Sequence, residues 1–152
     1  MNQIAALLAA DRILLDLDVA TKARLFEAAG ALFERDAGLS GAAVTASLAA
    51  REKLGSTGLG QGVAIPHGRI RGLRQAMGGF ARLAHGIEFD APDGRPVSQV
   101  FVLLVPEQAT DQHLQLLSEL AQMFSERAFR DRLAGAADNL ALAHVFSAWE
   151  PG

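Results

Sequence analysis

Cysteine is absent from this 152-residue chain. That excludes a disulfide framework and any thiolate-held metal, and it fits a reducing compartment. An excess of positive charge is missing too: 14 Lys and Arg stand against 17 Asp and Glu, for a net charge of −3. Apart from the short run Arg69, Arg71, Arg74, the basic residues are scattered, so the chain lacks the electrostatic footprint of a nucleic-acid binder. No apolar run approaches the roughly 20 residues of a membrane span. The longest, Val100 to Pro106, has the length of a strand. The opening MNQIAALLAADR carries an apolar stretch without a basic lead, and so makes a poor signal peptide. No repeat, low-complexity tract or linker divides the chain, and its length fits one domain over residues 1–152. Together these absences predict a cytoplasmic protein with no nucleic-acid partner and no membrane insertion.

What is present alternates between helix and strand signals. Leu25, Phe26, Ala29, Leu32 and Phe33 recur on one face of a helix predicted over Val19 to Asp36, with Gly38 as its stop. Ser40 reads as the N-cap of a second helix, Gly41 to Lys53. The glycine-rich Leu54 to Gly62 reads as a loop, and Val63 to Ile65 as a short buried strand ended by Pro66. Further strands are expected at Met77 to Leu83, at Gly86 to Phe89 and, buried on both faces, at Val97 to Val105, with a turn at Ala91 to Pro96. A long helix from Asp111 to Ser125, capped by Thr110 or Asp111, precedes short helices at Glu126 to Leu133 and Asn139 to Trp149. The pattern predicts an α/β fold: a mixed, mostly buried sheet of about five strands flanked by helices.

Of the four histidines, His67 is the most informative. It stands between Pro66, which fixes the backbone, and Gly68, which permits close approach, at the end of a predicted strand. The residues alone admit two readings, a rigidly held nucleophile or a histidine that merely ends a strand. Before it, Gly55, Ser56, Thr57, Gly58, Gly60 and Gly62 form a loop able to offer backbone N–H groups and two hydroxyls to an anion, with Arg51 and Arg69 on its flanks. The same composition also fits a plain turn beside surface arginines. Neither a full G-x-G-x-x-G nor a P-loop is present. His113 falls in the first turn of the long helix, where a neutral ring can donate to a phosphoryl oxygen; a plain surface histidine is the other reading. His85 and His144 carry no such context. Leu59, Val63 and Ile65 lie close enough to His67 to contribute to a docking face, with Val63 and Ile65 assigned rather to the core.

Two segments, REKLGSTGLGQGVAIPHGRI and DAPDGRPVSQVFVLLVPEQATDQHLQLLSELAQMF, resemble the active-site segments of the mannitol/fructose-type enzyme IIA domains of the bacterial phosphoenolpyruvate-dependent phosphotransferase system. The resemblance runs from Ile13 to about Leu133, and ILLDLDVATKARLFEAAGALF is similar to the opening of the family's nitrogen-regulatory branch. It implies that His67 accepts phosphate, on its outer ring nitrogen and with Nδ1 tethered to backbone. It also implies that His113, Arg51 and Ser56 complete the site. No metal or organic cofactor is implied. The implied donor is a phosphorylated HPr-like carrier, and the implied targets are potassium-transport proteins or sensor kinases. Two alternatives stay within this frame: a stand-alone IIA component of a fructose or mannitol transporter, and an interaction module that takes no phosphate. A metal-dependent hydrolase built on His67 and His113 lacks an evident third ligand, since neither H-E-x-x-H nor H-x-H occurs.

Overall fold

The structure, a computed structural model, describes residues 2–108 and 111–151. Its elements follow in the order α1 (Gln3–Leu7), β1 (Leu8–Leu17), α2 (Lys22–Ala37), α3 (Gly41–Lys53), β2 (Gly58–Gly60), β3 (Val63–Ala64), β4 (His67–Ile70), β5 (Met77–Ile87), β6 (Val97–Pro106), α4 (Asp111–Ser125), α5 (Arg127–Gly135) and α6 (Asn139–Ala148). Thr110, one of the two expected caps of α4, lies outside the described residues. No helix among them is long and apolar enough to cross a membrane.

The helix boundaries follow local chemistry. Thr21 accepts the N–H of Arg24 at the start of α2, and Gly38 closes that helix in the left-handed conformation at φ 70°. Ser40 accepts the N–H of Ala43 and starts α3, as its sequence position predicts. The expected apolar stripe of α2, from Leu25 to Phe33, is buried.

Six strands form one mixed sheet in the order β1-β5-β6-β3-β2, with β4 also pairing with β6. Strand β6 is the axis of the fold. Phe101, Leu103 and Val105 face a cluster built with α4, α5 and α6, while Val100, Val102 and Leu104 face one built with α2 and α3. Alternate residues thus serve two cores, which is why the segment reads as a continuous apolar run.

Besides strand β2, which forms inside the expected loop Leu54 to Gly62 and brings the sheet to six strands, three sequence expectations change. The strands expected at Met77 to Leu83 and Gly86 to Phe89 are one strand, β5, with a register shift between Arg82 and Ile87. Gly78 does not weaken it: a Cβ there would come within 2.6 Å of the Phe101 ring, so the packing of that ring requires glycine. The Leu8–Leu17 stretch, unassigned from sequence, is the edge strand β1, parallel to β5. The third change concerns Pro66, which does not take the chain out of the sheet. Its carbonyl accepts the Leu103 N–H at 3.0 Å, and the ladder resumes at once as β4, with His67 opposite Leu103. A proline removes a donor but keeps its acceptor, and here the acceptor faces β6. His67 is therefore the first residue of a strand and not part of a loop.

Candidate functional site

Three elements converge on His67. The last turn of α3 supplies Arg51, the start of β4 supplies the histidine, and the first turn of α4 supplies His113. The Nε–H of Arg51 points at His67 Nε2 at 3.2 Å, and its Nη1 donates to the Gly55 carbonyl at 2.9 Å. On the far side of the ring, Nδ1 lies 2.9 Å from the Ile65 carbonyl oxygen. The His113 ring stands edge-on, 5.2 Å away between centroids at an interplanar angle of 79°.

These contacts fix the tautomer of His67. A carbonyl can only accept, so Nδ1 carries the proton; a guanidinium can only donate, so Nε2 presents its lone pair. The ring so held is neutral, with the Nε2 lone pair facing Arg51. Burial makes the ring harder to protonate than a free histidine, and the Arg51 charge adds to this. The Ile65 hydrogen bond and the Glu52 carboxylate oppose it, with a net lowering. His113 is lowered as well, first by burial and then by His67, Arg69 and Arg51.

Two clefts open on either side of the pair. One, of about 420 Å³, is lined by Ser47, Arg51, Leu54, His67, Arg69 and His113. The other, of about 330 Å³, includes Arg51, Ser56, Leu59, Ile65, His67 and Leu117. A larger groove of about 500 Å³ beside Trp149 has neither histidine nor arginine in its lining. Leu54, 84% exposed, and Leu59, 43% exposed, rim the clefts, and Leu114, 67% exposed, follows His113 on α4. These are three of the four large exposed apolar side chains among the described residues, the other being Leu140. Leu114 lines the groove beside Trp149 and neither cleft.

Residues 6–148 match the phosphoenolpyruvate-dependent sugar phosphotransferase system EIIA 2 family. The chain belongs to that family. The nitrogen regulatory protein of Pseudomonas aeruginosa is 39% identical over 146 residues, covering 95% of each chain. The fructose-specific EIIA component of Haloferax volcanii is 37% identical over 108 residues, covering 71% of this chain and 66% of its own. In three dimensions, the nitrogen regulatory protein IIA-Ntr from Neisseria meningitidis superposes with a TM-score of 0.89 at 51% identity, covering 95% of this chain and 99% of that one. The match extends past Leu133, where the resemblance read from sequence weakens, into α6.

Within this EIIA chain, the glycine-rich loop departs from its expected role. It does not hold a row of free donors. The Thr57 N–H and hydroxyl both go to the Glu52 carboxylate, the Gly58 N–H goes to Ser56 Oγ, and the Gln61 N–H goes to Asp93. Ser56 sits in the wall of the second cleft, but its hydroxyl proton is donated to the Phe89 carbonyl at 2.7 Å. Arg69 lines the first cleft while donating from Nη1 to the Glu107 carbonyl. Val63 and Ile65 are buried in the core, whereas Leu59 stays on the face. His85 and His144 line neither cleft. Among the described residues, no group of three or more His, Cys, Asp or Glu side chains is arranged to hold a metal ion, so the hydrolase reading has no ligand set there.

Glu52 was not among the residues singled out from sequence, and Thr57 was named there only as a loop hydroxyl able to meet an anion. A signal existed: an acidic residue in the last turn of a helix opposes the helix dipole and needs a reason to be there.

Proposed function

We propose that this EIIA chain is a phosphoryl carrier in which Nε2 of His67 accepts PO3 from a phosphohistidine on an HPr-like protein. The observation that carries the reading is the orientation of the ring, with Nδ1–H held on the Ile65 carbonyl and the Nε2 lone pair turned to a guanidinium beside an open cleft.

The chemistry balances without a cofactor. The Nε2 lone pair attacks phosphorus in line while the P–N bond of the protonated donor ring breaks, so the donor leaves as neutral imidazole. The Nδ1 proton stays where it is. The positive charge lost by the donor ring appears on the His67 ring, where the Ile65 carbonyl stabilises it. Before attack, the Arg51 Nε–H must release the lone pair. The guanidinium then already stands where the phosphoryl oxygens arrive and binds them instead. His113, kept neutral by burial and neighbouring cations, donates to another oxygen. Ser56 reaches an oxygen only by giving up its bond to Phe89. The exposed Leu54 and Leu59 form the apolar centre of the donor's docking face, with the arginines at its rim.

The carrier's phosphorylation state is then read by regulated proteins, of which potassium-transport proteins and sensor kinases are the proposed classes. The likeness to nitrogen regulatory proteins over nearly the whole chain supports this over sugar-transport duty. The test of the carrier reading is incubation with a phosphorylated HPr-like donor, followed by intact mass. The wild-type chain should gain one PO3 and His67→Ala none. No gain in the wild type, or a gain that survives in the variant, would overturn it.

A further inference from the structure

Glu52 follows Arg51 in the chain but meets different partners, Thr57 and Lys22 instead of His67 and Gly55. Its side chain is 7% exposed. The carboxylate accepts the Thr57 hydroxyl at 2.6 Å and the Thr57 backbone N–H at 3.2 and 3.3 Å to its two oxygens. Lys22, from the first turn of α2, donates to it at 2.9 Å, reaches Asp90 at 3.3 Å, and lies 4.8 Å from the centroid of the Phe89 ring. The Phe89 carbonyl in turn holds Ser56. One nearly buried carboxylate therefore fastens the segment 54–58 to the end of α3 and, through Lys22, to α2. Such a charge is tolerated only because it is fully partnered.

That segment holds the second contact of Arg51. The guanidinium is a rigid plane with two acceptors, His67 Nε2 for its Nε–H and the Gly55 carbonyl for Nη1. Gly55 lies two residues before Thr57; its N–H is held by the Glu52 backbone carbonyl at 3.2 Å, while the direction of its own carbonyl depends on the chain that leads to Thr57. If the segment loosens, the fork loses one acceptor and a long side chain regains its rotamers.

We propose that Glu52 is a positioning residue: by clamping Thr57 it holds the Gly55 carbonyl in the place that keeps the Arg51 guanidinium on Nε2 of His67. Its meaning for transfer rests on the carrier reading above, but the geometry does not. The direct readout is solvent exchange of the Arg51 Nε–H by NMR, with the backbone amide spectrum as the measure of fold. Glu52→Ala should speed that exchange by about tenfold or more through local opening, while amides in α2, α4 and the sheet keep their protection. Thr57→Val keeps shape and charge and removes only the hydroxyl bond. It should move the same signal in the same direction by a smaller factor, and it decides the matter if Glu52→Ala does not fold. Unchanged Arg51 exchange in folded Glu52→Ala, or in Thr57→Val, would overturn the proposal. With a phosphorylated HPr-like donor, both variants should still take phosphate on His67, at a rate reduced by about tenfold for Glu52→Ala. Faster Arg51 exchange in a chain whose wild type takes no phosphate would sink the carrier reading and leave the positioning role standing.

Discussion

Gly68, the residue after the proposed acceptor, sets the spacing between β4 and α3, and a single methyl group there tests whether that spacing matters. A Cβ on Gly68 would lie 2.3 Å from Ser47 Oγ, 3.1 Å from Ser47 Cβ and 3.3 Å from its carbonyl carbon. Rotating the serine relieves only the first of these contacts. Accommodating the methyl therefore takes the serine rotation plus a give of about 0.1–0.3 Å, from 3.1 and 3.3 Å to the 3.4 Å where ordinary contact begins. It also disturbs the bond from Ser47 Oγ to the Arg69 carbonyl, 3.0 Å in the native structure. Ser47 and Arg51 are one turn apart on α3, so the same displacement draws Arg51 away from His67, where the bond is already 3.2 Å. Gly68→Ala should therefore destabilise the fold by about 1–3 kcal/mol through overpacking. A shift of Arg51 by a few tenths of an ångström also slows transfer, by less than the roughly 10²-fold that a misplacement of about 1 Å costs. Urea denaturation and the rate of phosphate uptake measure the two effects. Ser47→Gly removes the obstructing side chain at a cost of about 1 kcal/mol in helix propensity. Combined with Gly68→Ala, it should lose less than the sum of the two single variants. Unaltered stability and rate in Gly68→Ala, or strict additivity in the pair, would refute the reasoning.

Arg51 uses two donors of one rigid plane on two acceptors, so Arg51→Lys should slow phosphate uptake nearly as much as Arg51→Ala, by about 10²-fold; a lysine variant close to wild type would show that charge alone suffices. His113→Ala should slow uptake by up to about 10²-fold without moving the phosphate from His67, and an undiminished rate would remove His113 from the mechanism. The third prediction concerns acid. His67 and His113 bind protons less readily in the fold than in the unfolded chain, chiefly because they are buried. The unfolded chain then takes up more protons as pH drops through about 6.5, so the stability these neutral rings contribute is complete above that pH and is lost as pH falls through their lowered folded values. Replacing both rings with alanine should flatten the decline in urea stability between about pH 7 and pH 5, and an identical decline in the double variant would contradict this.

How much of this was legible from sequence depends on how local each signal is. The stop at Gly38, the cap at Ser40, the stripe from Leu25 to Phe33 and the double-sided strand β6 depend on neighbours along the chain or on burial alone, and all formed as those rules require. Strand β1 escaped because LAADRILLDL is interrupted by charge. Arg12 is tolerated there because it donates to Gly78 and Leu7 carbonyls and pairs with Asp36, partners that only the fold brings together. The proximity of Arg51, His67 and His113 was implied by resemblance, since no spacing rule joins residues 16 and 46 positions apart across two elements. The glycine-rich loop misled for a related reason. Composition counts donors but does not show that Glu52, Ser56 and Asp93 have already taken them. Pro66 was read as a stop because its missing donor is visible in the sequence, whereas the direction of its carbonyl is set by β6.

The central claim is that one particular nitrogen of one ring is held ready for phosphorus. The most direct measurement is heteronuclear NMR of the ring-labelled chain after reaction with a phosphorylated HPr-like donor, reading which imidazole nitrogen couples to phosphorus. The account predicts coupling to Nε2 of His67, with the proton retained on Nδ1. Coupling to Nδ1 of that ring, or to any nitrogen of His85, His113 or His144, would contradict it.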